Sequence, residues 1–468
     1  MYRLLISCFF LFSLKVLLGQ NTLTLADCLS RAEAVSLELQ RADLGVSRLQ
    51  LETESTAAFA HPTLDFGSRA GLQNGRSIDP TTNAFADQQL LFSTYNLQAD
   101  WLIYNGGRLK QEALRFQDLQ LAQLADISLQ KRQLHLEVIF AYLSAQQAES
   151  ATELNQQSLQ NTRSQLRQLD QLVAAGVKRP NDRLELELRL NTGIRDSILG
   201  ENELNRQHNR LRQLLQLPYD QDVVLTKTEA LSLNSSLYTE LSGQELLLEL
   251  QERDPGLVAN EARISAAGRR DAIIRANRAP EVRLFGVLTT NHSSIAQRVE
   301  GTVNAMAAQE VFLGGQATTL EVAQQLPVFG ADPYFNQLRN NFSQIVGLNI
   351  NFNILDGGRN RRERQVAQLE QREAQLGYQQ YWQELQDQLF RQLSDLEDAR
   401  TNYFASQQQL DNLRSSLTAA EQSYRAGGLS TFELVRVQTA VEEAELQLNQ
   451  ALYDCIFRYE LLMTLLAD

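Results

Sequence analysis

Between residues 91 and 104 apolar and polar side chains alternate. Leu91, Tyr95, Leu97, Ala99, Trp101 and Ile103 fall on one face, and Thr94, Asn96, Gln98 and Asp100 on the other. The same period recurs at 342–354, where Phe342, Val346, Leu348, Ile350, Phe352 and Ile354 oppose Ser343, Gly347, Asn349, Asn351 and Asn353. Successive side chains of a strand point to opposite sides, so both segments predict strands. Segments 63–72 and 281–290 carry weaker versions, in Leu64, Phe66, Ala70 and Leu72 and in Val282, Leu284 and Leu288. Elsewhere the period becomes helical. Residues 107–175 hold no Gly after Gly107 and no Pro, which predicts one helix of 69 residues. At about 1.5 Å per residue it would run about 100 Å. Leu159, Leu166, Leu169 and Val173 form a coiled-coil seam along it. The seam returns at Leu410, Leu413, Leu417, Ala420 and Tyr424, and in a last helix at Leu434, Val437, Val441, Ala444, Leu448, Cys455 and Leu462.

The chain reads as two tandem copies of one pattern, each ordered helix, two strands, long helix, turn, helix. Gly106-Gly107-Arg108 matches Gly357-Gly358-Arg359, an offset of 251; Gly176 aligns with Gly428, an offset of 252. Pro62 aligns with Pro280 at an offset of only 218, so copy two carries an insertion, placed at about 293–340. That insertion is rich in Gly, Asn, Gln and Ala and is expected to be an exposed loop. The predicted boundaries are a leader at 1–19, copy one at 20–220, a connector at 221–243 and copy two at 244–468. In copy one, helices 27–59 and 182–217 together match the length of the long helix. In copy two, 244–277 and 430–466 match helix 358–426. Two shorter helices stacked end to end beside one unbroken helix suggest a tube wall.

Residues 1–19, MYRLLISCFFLFSLKVLLG, have the basic start, apolar run and small terminal residue of a secretory signal peptide. No later stretch is long and apolar enough for a membrane helix. An exported chain that meets a membrane again would do so as a barrel or at the surface. Strands of ten to fourteen residues with one apolar face and one uncharged polar face suit a membrane barrel, with Leu97, Trp101, Leu348, Ile350 and Phe352 towards lipid. A soluble sheet with one solvated face is the alternative. Four strands cannot close a membrane barrel, since the smallest have about eight, so several chains would pool theirs.

Composition narrows the function. The net charge of −13 argues against nucleic-acid binding, which needs clustered positive charge. Four His, at 61, 135, 208 and 292, and three Cys, at 8, 28 and 455, lie far apart, so no metal site or cofactor is expected. No catalytic motif is present, and the chain reads as a non-enzyme. Cys455 falls on a seam, as a small buried hydrophobe; a disulfide with Cys28 is the other reading.

In order and twice over, the strand-end segments NLQADWLIYNGGR and GLNINFNILDGGR and the tip segment YRAGGLSTFELVRVQTAVEEAELQLNQALYD resemble the TolC-like outer-membrane channel-tunnel family. LRQLLQLP, closing copy one, is similar to that family's closing segment. The resemblance implies a homotrimer with a twelve-stranded outer-membrane β-barrel, four strands per chain. A periplasmic α-helical coiled-coil tunnel would continue it, with 221–243 in an equatorial collar. It implies a passive exit duct for efflux or type I secretion, partnered by a periplasmic adaptor protein and an inner-membrane pump of RND or ABC type. A secreted or periplasmic coiled-coil scaffold or binding protein is the alternative. Gly106, Gly107, Gly357 and Gly358 would turn strand into helix. Gly176, Val177, Gly427, Gly428 and Leu429 would form the tips that dock the adaptor. Tyr424 matches the family's gating tyrosine and Asp182 the aspartate it contacts. Glu433 falls at the acidic ring of the constriction. Arg436 stands where a second acid can lie, and Leu429 replaces an arginine of the closed-state lock in some members.

Overall fold

The structure, a computed structural model, describes residues 22–78, 85–87, 89–227 and 243–466. The expected leader at 1–19, Cys8 and residues 228–242 of the expected connector lie outside the described residues. Two compact units divide the chain. The first takes in residues up to 48, 120–263 and 374 onward; the second takes in 49–119 and 264–373.

The elements run α1 (Leu25–Val35), α2 (Leu37–Ala58), β1 (Thr63–Gln73), β2 (Arg76–Ile78), β3 (Phe85–Asp87), β4 (Leu90–Tyr104), α3 (Arg108–Ala174) and α4 (Pro180–Leu214). They continue as α5 (Gly243–Arg253), α6 (Pro255–Ala276), β5 (Glu281–Ser293), β6 (Gln297–Leu313), β7 (Gln316–Ala331), α7 (Tyr334–Asn340), β8 (Ser343–Asn351), α8 (Arg359–Arg425) and α9 (Thr431–Leu466). The protein is mainly helical with strands. Helices α3 and α8 have 67 residues each. Both begin and end 251 positions apart, and so do the starts of α4 and α9.

Two expected single helices are broken. At 27–59 the break is Ser36, whose backbone turns extended and whose hydroxyl accepts from Leu39 N at 3.4 Å. At 244–277 it is Asp254-Pro255. Proline has no N–H to continue α5, and the Asp254 carboxylate accepts from Leu257 N at 3.1 Å to start α6.

In the first unit the seams are apolar and buried. Leu410, Val441 and Ala444 pack α8 on α9, with Leu413, Leu417 and Leu448 around them. A larger core gathers Cys28 and Ala32 of α1, Val138 to Ala145 of α3, Leu211 of α4, and Val223 and Leu225 beyond it. Residues 22–24 lie beside 223–227: Leu23 N donates to Val224 O at 2.8 Å and Thr226 N to Leu23 O at 3.1 Å. The buried Tyr142 hydroxyl donates towards Thr226 O (2.7 Å) and Leu23 O (3.1 Å). Burial pushes that phenol up to about 12. Arg132 reaches Asp254 at 2.8 Å, and Tyr381 donates to the other carboxylate oxygen at 2.9 Å, so this buried charge is paired as burial requires.

The second unit holds an antiparallel four-stranded sheet in the order β1-β4-β5-β8. Its register lines up large apolar side chains across one face. Phe66 opposes Leu97, which opposes Leu288; Trp101 opposes Leu284, which opposes Leu348; Val282 opposes Ile350. The other face pairs Asp65 with Gln98 and Arg283 with Asn349, and also carries Phe285, Val287 and Ile345. Segment 293–340, expected as a loop, is instead mostly the paired ribbon β6-β7, followed by α7. Gly314 and Gly315, with φ of +63° and +86°, form its two-residue turn. Ala and Gln between the β-branched residues hid the alternation.

Candidate functional site: helix reversals and the sheet face

Each long helix reverses through a short tip. Gly176 after α3 has φ +73° and Gly427 after α8 has φ +81°. Equivalent left-handed positions thus lie 251 apart, like the helix ends, and Gly428 is one residue beyond the match to Gly176. Val177 is exposed and Leu429 half-buried.

The two helices that follow the tips, α4 and α9, start on the same chemistry to different degrees. At α9 the capping is reciprocal: Ser430 N and Oγ donate to Glu433 Oε2 at 3.0 and 2.8 Å, and Glu433 N donates to Ser430 Oγ at 3.3 Å. Those bonds, the backbone one foremost, hold the Glu433 carboxyl below its ordinary value, and Arg436 one turn on adds a smaller push. At α4 only half the device exists. Asp182 Oδ2 accepts from Arg179 N at 3.2 Å, and Arg179 has no side-chain oxygen to return the bond. Pro180 occupies the first turn instead, where its missing N–H costs nothing.

Tyr424 and Asp182 are not hydrogen-bonded to each other within the chain. The Tyr424 hydroxyl lies 3.3 Å from Thr431 Oγ1, across its own reversal. The Lys178 ammonium sits 4.0 Å from the centroid of the Tyr424 ring, so a cation–π contact joins the two tips. Further up, Arg189 of α4, with its side chain 10% exposed, donates to Gln438 (2.6 Å) and Glu442 (2.5 Å) of α9. Ser158 of α3 donates to the same Glu442 oxygen at 2.6 Å. These ties fasten one helical hairpin to the other. Sequence reasoning missed Lys178, Ser430 and Arg189. The Ser-x-x-Glu spacing at 430–433 was the one local signal for Ser430.

At the strand-to-helix turns Gly106, Gly107, Gly357 and Gly358 have φ of +68°, +80°, +61° and +76°. Gly106 is also confined: a Cβ there would come within 2.5 Å of Ala279 Cβ and 2.7 Å of Ala276 O. On the sheet, Leu64, Phe66, Leu348 and Ile350 of the apolar face are exposed and Val346 is 77% accessible. Leu97 is half-buried, and Trp101 donates its indole N–H to Ala60 O at 2.9 Å. Phe352 is exposed but follows the end of β8, so it continues the face without joining the ladder.

Cys28 and Cys455 are both buried and unpaired. Among the described residues no group of three or more His, Cys, Asp or Glu is placed to hold a metal ion. No described helix is long and apolar enough to cross a membrane.

No curated protein matches the chain in sequence. In fold it is similar to CusC (18% identity, TM-score 0.74, covering 94% of this chain and 91% of that one), for which transmembrane channel formation is described. It is similar also to the outer-membrane protein VceC of Vibrio cholerae (14%, 0.70, 94% and 95%). A third likeness is to the open state of the MtrE outer-membrane channel of Neisseria gonorrhoeae (17%, 0.70, 94% and 88%). Residues 246–468 match the family model of outer membrane efflux proteins. Residues 246–468 thus resemble outer membrane efflux proteins, on a fold that 94% of the chain shares with these outer-membrane proteins.

Proposed function

We propose that the protein is an outer-membrane efflux or secretion channel, a passive duct rather than an enzyme. Three copies would pool four strands each into a twelve-stranded barrel, and their helices would form a periplasmic tunnel built from two tandem repeats. The observation that carries this reading is the sheet. It has a largely exposed apolar face, a more polar opposite face, and two outer strands, β1 and β8, each paired on one side only. Unpaired edges and exposed apolar area are costly in water. A barrel of several chains in lipid removes both at once. A soluble scaffold would leave both in place. The polar face, with Asp65, Arg69, Asn96, Gln98 and Asn349, would then line the lumen.

At the tips, Gly176, Val177, Gly427, Gly428 and Leu429 would meet a periplasmic adaptor, and the pump behind it would be of RND or ABC type. Tyr424, Asp182, Glu433 and Arg436 would form the aperture. Asp182 uses one carboxylate oxygen on Arg179 N within its own chain, which leaves the other for a tyrosine of a neighbouring copy. The test is extraction. The mature protein should leave membranes only with detergent, as a trimer that survives heating in dodecyl sulfate. A monomeric rod released by buffer would refute the reading.

A further inference from the structure

The seven-residue helix α7 lies on the apolar side of the sheet. The Tyr334 hydroxyl is 2.6 Å from that of Tyr95, and its ring packs 4.6 Å from His292. The Thr290 hydroxyl donates to Leu338 O at 2.6 Å. Tyr95 opposes Thr290 and Ser93 opposes His292, in unbroken register with Leu97 opposite Leu288, so Tyr95, Thr290 and His292 share the apolar face. Gln337, buried, takes Ser293 N (2.9 Å) on its carbonyl and donates to Ser293 O (3.0 Å), and Asn341 donates to Asn291 O at 2.9 Å. Thus α7 is pinned over β4 and β5, the middle strands, and away from the edges where further chains would pair.

Its outer side is unlike that of a soluble helix. Phe335 is 82% exposed, and Phe342 just beyond is exposed too. Arg339 is exposed, with Asn336 of its own helix as its hydrogen-bond acceptor at 3.3 Å and no ion pair among the described residues. An aromatic beside an unpaired cation matches the boundary between acyl chains and phosphate-bearing headgroups. The spacing agrees. From Phe342 to Phe352 along β8 is ten residues, about 34 Å of strand, or about 26 Å of height at a tilt near 40°, close to the apolar band of membrane barrels.

We infer that α7 is a membrane-interface anchor, which seats Phe335 and Phe342 at the acyl–headgroup boundary of the outer leaflet and sets Arg339 against lipid phosphate. The inference rests on the lipid-facing reading of the sheet, and the test separates the two. Phe335→Trp and, separately, Val346→Trp are made with Trp101→Phe and Trp382→Phe, and the detergent-purified protein is reconstituted into phosphatidylcholine–phosphatidylglycerol vesicles. The Phe335→Trp protein should lose most of its fluorescence to lipids brominated near the headgroup, and less to lipids brominated deep in the chain. Aqueous iodide should quench it weakly. The Val346→Trp protein should show the reverse depth order. Strong iodide quenching of Phe335→Trp without lipid quenching, while Val346→Trp responds to lipid, overturns the anchor alone. Absence of lipid quenching at both overturns the lipid-facing reading beneath it.

Discussion

In the sheet, Leu64, Phe66, Val346, Leu348 and Ile350 each stand more than half exposed, touched only in part by their cross-strand neighbours. At the two helix reversals, where Val177 is also exposed, the acids already have local partners: Glu433 in Ser430 and Asp182 in Arg179 N. The tips are complete as local structure, because a capping acid answers N–H groups a few residues away. The sheet is complete only in a surrounding that the single chain does not supply. Substitutions in the sheet should therefore act on assembly, and substitutions at the tips on helix ends and passage.

The largest effect is expected from Leu348→Asp or Ile350→Asp. An acid on the lipid face near mid-membrane costs about 2 kcal/mol per chain, and the yield of heat-resistant trimer should collapse. Asn349→Asp and Asn351→Asp, on the opposite face, should assemble normally. Equal behaviour of the two pairs would erase the distinction between the faces.

Glycine substitutions sharpen the comparison. Gly176→Ala meets open space and only the left-handed backbone, a cost of about 1–2 kcal/mol. Gly106→Ala adds a clash with Ala279 and Ala276 O, for about 2–5 kcal/mol in all. Thermal denaturation of the detergent-solubilised protein should rank Gly106→Ala well below Gly176→Ala.

Acidification should separate the two tips more gently. The folded-state pKa of Glu433 is depressed below 4.5. Its contribution is therefore full above that ordinary value and is lost as pH falls through the lowered one. Hydrogen exchange at the first turn of α9 should quicken on acidification, and Glu433→Gln should remove most of that pH dependence.

How much of this was legible depended on whether a signal was local. Alternation in 90–104 survives in the fold because nothing competes with it, whereas in 297–331 small and amide residues diluted it and the ribbon read as loop. The Gly314-Gly315 turn was the missed sign. Length gave the 67-residue helices. Ser36 and Asp254-Pro255 broke the shorter ones because a side chain beside the break offered the cap that an unbroken helix would not need. The contact of Lys178 with Tyr424 joins residues 246 positions apart, and no spacing rule reports such a pair. Tyr424 and Asp182 were placed by resemblance at the two reversals. The fold adds that the two are not hydrogen-bonded to each other within the chain, so the aperture bond proposed between them runs between copies.

That bond is where the account is most exposed. Hydrogen bonds to charged groups contribute about 1.5–3 kcal/mol each, and three-fold symmetry would repeat the contact. Single-channel recording in planar bilayers, with trimer assembly verified, tests it directly. The parent protein should conduct in small steps, and Tyr424→Phe with Asp182→Ala should conduct in markedly larger ones. Unchanged steps would leave Tyr424 and Asp182 as residues of their own helix ends, and no conductance from either trimer would contradict the channel itself.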